Sequence, residues 1–300
     1  MKNIKLWLVI TLLLFGDISF SNAGSEVKPS ILHPNGLLWK IEKPTTSASY
    51  LYGTMHVSDP RVTRLAAPVE QAFEQADHFV MEVLMNFEAI AYVSRLSFFE
   101  DGRTLSALMG KSDYGQLTRL LDKRIFITEE VVNNMKPWAV LMLLMLPADQ
   151  QLQNKPALDM VLFKTALQRK MQVSGLETVQ EQIDIFESMA MKDQLWLLNR
   201  AIKDIETTDA LFPKMLSAYI NRDLAGLVNI QSEFMYPDSE IDDRFMNQLL
   251  DARNVRMANR LSPLLKQGKA FIAIGALHLP GRGGVLDLLE AQGYKVTPVY

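Results

Sequence analysis

Apolar positions in this chain follow two periods. Short apolar runs of strand length cover Ser49–His56, His78–Leu84, Lys170–Gly175, Ala270–Gly275 and Lys295–Val299, and such runs read as strands. Between them apolar residues recur at helical spacing. Val62, Leu65, Ala66, Val69, Ala72 and Phe73 predict a helix over 61–75. Two longer blocks, at about 86–169 and 178–266, carry the same period without a Gly/Pro/Ser-rich linker or a low-complexity run. Strands alternating with helical segments predict an α/β fold (α+β being the alternative): a central mixed, mostly parallel sheet covered by helices. Residues 24–300 then form a single domain, and the two blocks are helical insertions in it. Pro137–Leu146 is almost wholly apolar, but its length suits a buried core helix rather than a membrane span.

The first residues break this pattern. Lys2 and Lys5 precede the apolar stretch Leu6–Phe15, and Ser21-Asn22-Ala23 follows. A basic start, a short apolar stretch and small residues at the cut describe a secretory signal peptide over 1–23, cleaved after Ala23. The expected location is the periplasm or the medium, with no stable membrane anchor after cleavage.

Composition narrows the chemistry. Apolar residues make up 48% of the 300 and charged residues 22%, which excludes a disordered or fibrous chain. The formal charge is −3, so no basic field exists to hold nucleic acid. With no cysteine, disulfides, thiolate zinc sites, iron–sulfur clusters and cysteine nucleophiles are excluded. Neither a His-Glu-x-x-His helix nor a Gly-x-Ser-x-Gly elbow occurs, which disfavours ordinary zincins and serine hydrolases.

The remaining chemistry lies where strands end. Gly53-Thr54-Met55-His56 and Gly275-Ala276-Leu277-His278 repeat one Gly-x-x-His arrangement, in a chain with four histidines. Open α/β sheets bind ligands beyond the carboxyl ends of their strands. Glycine there permits a tight turn or a close backbone approach. Glu82 interrupts an apolar strand and so either faces a functional edge or is buried with a partner. Glu177, in Gly175-Leu176-Glu177-Thr178, has two readings: a site carboxylate or a first-turn acid of the next helix. Asp159 follows Pro156 in a helical stretch and reads as a first-turn acid or a site residue. Arg253, Arg256 and Arg260 share a helical face, with Asn254 beside them. That face is a solvated one, or Arg253 reaches in to pair a carboxylate or a substrate oxyanion. His33, beside a turn, is expected to be solvent-exposed, and His78, at a strand start, lies at the opposite sheet edge. Gly281-Arg282-Gly283-Gly284 is a weak anion cradle at a helix start.

Together these motifs resemble the TraB/GumN family, whose animal relatives are the Tiki proteases. The resemblance runs from Leu38-Trp39-Lys40-Ile41 through Tyr52-Gly53-Thr54-Met55-His56, Glu82, Lys136-Pro137-Trp138, Asp159 and Gly175-Leu176-Glu177-Thr178 with Gln182. It continues through Arg253-Asn254 to Gly275-Ala276-Leu277-His278-Leu279-Pro280-Gly281 and Gly293-Tyr294-Lys295-Val296. It implies a metal-dependent hydrolase of the EreA/ChaN/Tiki-like group, a scaffold that also hosts esterases and haem-binding proteins. His56, His278, Glu82 and Glu177 are the expected metal ligands, holding manganese, cobalt or zinc. Glu82, His56, His278 and Arg253 are the expected catalytic residues. Gly53, Gly275, Asp159 and Asn254 support them. The expected substrate is a peptide or protein, and a homo-oligomer is possible. The alternatives are a non-catalytic haem- or metal-binding protein, a metal-independent ester hydrolase with His56 as general base, and a structural or partner-binding module.

Overall fold

Six strands form one sheet in the order β4-β3-β5-β2-β1-β6. They are β1 (Leu38–Glu42), β2 (Ser49–Thr54), β3 (His78–Val83), β4 (Gln172–Glu177), β5 (Ala270–Gly275) and β6 (Lys295–Pro298). The computed structural model describes residues 31–124, 127–145, 155–233 and 239–300, so the expected signal peptide lies outside them. β4, β3, β5 and β2 run parallel. β1 is antiparallel to both β2 and β6. The sheet is therefore mixed and mostly parallel, and helices cover it, as an α/β pattern requires. Every residue of β3 and β5 is buried, which explains the unbroken apolar run of β5 and the mainly apolar run of β3, broken by His78 and Glu82.

The described chain divides into two compact units. The sheet belongs to one, built from described residues up to Val83, from Pro156–Glu177 and from Pro213–Tyr300. Its core is an aromatic cluster. Phe73 meets Phe79 and Phe271 edge-on, at 5.7 and 5.0 Å between ring centroids. The other unit is helical and takes the described residues of Leu84–Lys155 and Thr178–Phe212. The expected insertions thus contribute to both units. Within the helical unit, Trp138 stacks on Phe186 at 5.8 Å, and both Lys136 and the Trp138 indole N–H donate to Glu187. The apolar helix here is Pro137–Met145, buried over most of its length, with Leu146 outside the described residues.

Three local expectations change. The helix predicted over 61–75 is two, Pro60–Thr63 and Ala67–Glu74. Arg64 and Ala66 take extended backbone angles between them, and Pro68 falls in the first turn of the second helix, where its missing N–H leaves no helical bond unmade. The third strand starts two residues later than its apolar run, because Lys170 takes a left-handed φ of 58° that closes the helix Leu158–Gln168. β1 was missed as a strand. Its Lys40 is half-buried and Trp39 buried, so its outline is too mixed for a five-residue run to announce itself.

The strand order has a switch point between β3 and β5. The chain leaving β3 returns at β4, on one side, whereas the chain leaving β5 returns at β6, on the other. Adjacent strands whose continuations diverge open a ligand-binding crevice at their carboxyl ends. The fold also makes a stability prediction. Phe271, fully buried at the centre of the ring cluster, should cost about 3–5 kcal/mol when replaced by alanine. A fall in the urea midpoint with an unchanged slope checks this.

Candidate functional site

The parallel register brings the motifs to one edge. Thr54 pairs with Gly275, and Val83 with Glu177, so the carboxyl ends of all four parallel strands meet. The two Gly-x-x-His segments leave neighbouring strands. Gly53 serves packing: a Cβ there would stand 2.7 Å from Leu279 and 3.1 Å from the Ala276 backbone. Its close neighbour is thus the second motif. Tyr219 Oη, on the helix Ile205–Ile220, donates to the Gly53 carbonyl at 2.9 Å. After Gly275 the chain makes a short 3₁₀ turn over Ala276–His278, and His278 is fully buried. After Thr54 it stays irregular, and the His56 side chain keeps 10% of its surface exposed.

Arg253 is the hub. It sits on the helix Ala252–Gln267, directly after a π-helical turn over Asn247–Asp251. A π turn shifts the phase of the residues that follow and is frequent at functional sites. The guanidinium is wholly buried. Nε donates to Glu177 at 2.8 Å. Nη1 donates to the Leu249 carbonyl at 3.2 Å and to His278 Nε2 at 3.1 Å. Nη2 donates to Glu82 at 2.6 Å and to Glu177 at 2.7 Å. All five of its N–H groups are therefore engaged. The carboxylates are equally committed. Glu82 also accepts from the Gly275 N–H at 2.5 Å, and Glu177 from Arg256 at 2.8 Å. Arg260 donates to the Leu176 carbonyl. Arg253 is thus turned inward, whereas Arg256 is partly exposed and Arg260 exposed, so the solvated reading fails at Arg253. Arg253 pairs carboxylates, with no donor left for a substrate oxyanion.

His278 and His56 are held in opposite states. Burial, then the Arg253 charge, push His278 down to about 3, against the pull of Glu82. It is neutral: Nε2 accepts from Arg253, and Nδ1 donates to Asn254 Oδ1 at 2.6 Å. Asn254 also donates to the Gly283 carbonyl. Burial opposes the charged form of His56 too. The charge and hydrogen bond of Asp159, with the charge of Glu82, outweigh it and lift His56 to about 9. His56 Nδ1 lies 2.5 Å from Asp159 Oδ2, and Thr54 Oγ1 donates to Asp159 Oδ1 at 2.8 Å. Glu82, despite burial, is drawn down to about 2 by Arg253, both histidines and the Gly275 N–H.

The structure therefore gathers His56, Glu82, Glu177, Arg253, Asn254, His278, Gly53, Gly275 and Asp159 at one edge. Asp159 lies in the first turn of Leu158–Gln168, and its role as partner of His56 is tertiary. Glu177 closes β4, and the cap of the next helix falls to Thr178 with Glu181. Thr54 and Tyr219 were missed as partners of the site, because only the packed chain brings them to Asp159 and Gly53. His78 sits at the amino end of β3 on Ser174, away from the cluster. His33 is half-buried, edge-on to Trp39, rather than exposed. The glycine loop does not offer a cradle, because the N–H groups of Gly281, Gly283 and Gly284 are bonded to Leu32, Asp287 and Gly281.

The expected metal set fits poorly. Glu177 has both oxygens on arginines, Glu82 divides its oxygens between Arg253 and Gly275, and the His278 lone pair is taken by Arg253. Among the described residues no three His, Asp or Glu side chains are grouped to hold a metal ion.

The chain belongs to the TraB/PrgY/gumN family, matched over residues 37–298. It is 27% identical over 311 residues to Metalloprotease TIKI1 of Danio rerio, covering 87% of this chain and 63% of the relative. Metalloprotease TIKI2 of Danio rerio is 26% identical over 314 residues, covering 87% and 60%. Metalloprotease TIKI1 of Homo sapiens is 24% identical over 324 residues, covering 91% and 64%. The chain thus spans about three fifths of the length of these relatives. No solved structure matches it.

The buried acid gives a pH prediction. Glu82 falls from its ordinary 4.5 to about 2 on folding. Its contribution to stability is complete above pH 4.5 and disappears as the pH falls toward 2. Thermal unfolding across that window should steepen its loss of stability in the wild type more than in Glu82→Gln. At neutral pH that variant, which breaks a buried pair, should be about 3–5 kcal/mol less stable.

Proposed function

We propose that this member of the TraB/PrgY/gumN family is a hydrolase of peptide bonds, in which His56, oriented by Asp159, moves the proton at the carboxyl edge of the sheet. The observation that carries the reading is the His56–Asp159 pair. It stands at the sheet edge that holds the Arg253 cluster, close enough to feel the charge of Glu82, and the His56 side chain keeps 10% of its surface exposed. The relatives named metalloproteases support hydrolysis and a peptide substrate.

The chemistry follows from the pair. Neutral His56 takes a proton from water as its oxygen bonds to the scissile carbonyl carbon. Asp159 holds the imidazole through Nδ1, stabilises the resulting imidazolium, and leaves Nε2 for the proton. The same proton then passes to the departing amine as the carbon–nitrogen bond breaks. Arg253, without a free donor, acts as a positioning residue: it fixes Glu82, Glu177 and His278 behind His56. The residues as arranged do not fit a metal ion.

The name of the relatives favours a second reading, in which hydrolysis needs a divalent ion. Chelation separates the two. A periplasmic or secreted setting, from the leader over 1–23, belongs to the same proposal. Among the described residues no helix is long and apolar enough to cross a membrane.

A peptide-library digest tests the function. His56→Ala should lower kcat/KM about 10²–10⁴-fold while leaving the fold intact. Cleavage that survives this substitution unchanged, or no cleavage by wild type under any condition, removes the reading. The base must be neutral, so kcat/KM should climb as pH rises toward the raised value of about 9. In Asp159→Asn that limb should move down toward the ordinary imidazole value of 6.5.

A further inference from the structure

We propose that the resident cation of this site is the Arg253 guanidinium, and that Glu82, Glu177 and His278 are its partners rather than ligands of a divalent ion. The inference concerns how the proposed active site is built and rests on that reading only in calling the edge an active site.

Charge is the first argument. In the buried cluster the carboxylates of Glu82 and Glu177 are already paired with Arg253 and Arg256, and the His278 Nε2 lone pair accepts from Arg253. A dication added to it would leave two positive charges without a counter-charge in a nearly dry interior, where uncompensated charge is most costly. Donor accounting is the second. For His278 Nε2 and Glu82 to face an ion, Arg253 would have to release both. Its Nη1 and Nη2 would each lose a partner, and a buried donor left unpaired is costly. Geometry is the third. The fork spans three acceptor side chains and the Leu249 carbonyl, an arrangement that a planar five-donor group satisfies and a spherical ion does not require. The π turn beneath Arg253 gives that fork its own carbonyl partner, so the helix is shaped to seat it.

The test uses the purified full chain, stripped by chelator dialysis and titrated with Co²⁺, Mn²⁺ and Zn²⁺. Calorimetry and the visible absorption of Co²⁺ report binding. His56→Ala is the control, because an ion entering this edge meets the solvent-reaching imidazole first. The expected result is no saturable uptake that the control lacks, and the same melting temperature with and without ion. Close to one equivalent bound by wild type and lost in His56→Ala overturns the proposal. So does a melting temperature that rises with ion in wild type alone. Elemental analysis of the wild type as isolated needs no variant, and a stoichiometric ion there that chelation removes also overturns it.

A parallel digest separates this failure from that of the proposed function. Cleavage abolished by chelator and restored by Mn²⁺ keeps the hydrolase and removes the guanidinium proposal. Absence of cleavage together with absence of uptake removes the hydrolase and leaves Arg253 as the resident cation. Cleavage untouched by chelator supports both.

Discussion

The fully buried Arg253 guanidinium is the constraint on which the site depends. A cation withdrawn from water must be paid back locally, and here two carboxylates, a carbonyl and an imidazole lone pair do so. Each partner comes from a different part of the chain: Glu82 from β3, Glu177 from β4, His278 from the turn after β5. The hub therefore ties three strand ends to the helix Ala252–Gln267. Buried pairs of this kind add little net stability over an apolar core. Losing one partner is expensive, because the other is left charged and dry. Such a network specifies geometry more than it adds stability.

Against that background the two histidines divide their labour. They come from the same Gly-x-x-His arrangement but meet different neighbours. His278 faces a guanidinium and an amide and is locked in one neutral tautomer. His56 faces a carboxylate and keeps a proton that it can give up near the surface. Neighbouring groups with pKa values driven apart are a mark of sites that handle protons. The topology explains why this happens where it does: β3 and β5 part company at this edge, and side chains of their ends share one crevice.

Much of the scaffold could be read in advance from particular residues. Phe79 through Val83, apolar but for Glu82, and Ala270 through Gly275 are strands because apolar runs of that length suit a sheet buried on both faces. Glu82 stood out because a lone carboxylate in such a run needs a reason. Pro68 marked the start of the second helix, since proline is favoured in a first turn, whereas Pro213 and Pro263 lie inside continuous helices. β1 was not legible: a strand of five residues with a charged member gains its identity from pairing with β2 and β6. The site was legible as a list of residue types at strand ends, but not as a set of bonds.

What the sequence by itself determined is local: the apolar periods, the strand-end glycines and histidines, the acid inside a buried strand, and the family likeness they carry together. The tertiary structure decided the pairings. It turned Arg253 inward, gave Glu177 to two arginines, set Asp159 against His56 and left His278 without a free lone pair. The physical reason is that a hydrogen bond or an ion pair depends on distances of a few ångströms, and in this site such bonds join groups as many as 193 residues apart. Periodicity constrains which face a residue takes, but only the packed chain sets which charge lies opposite it and how much water is left between them.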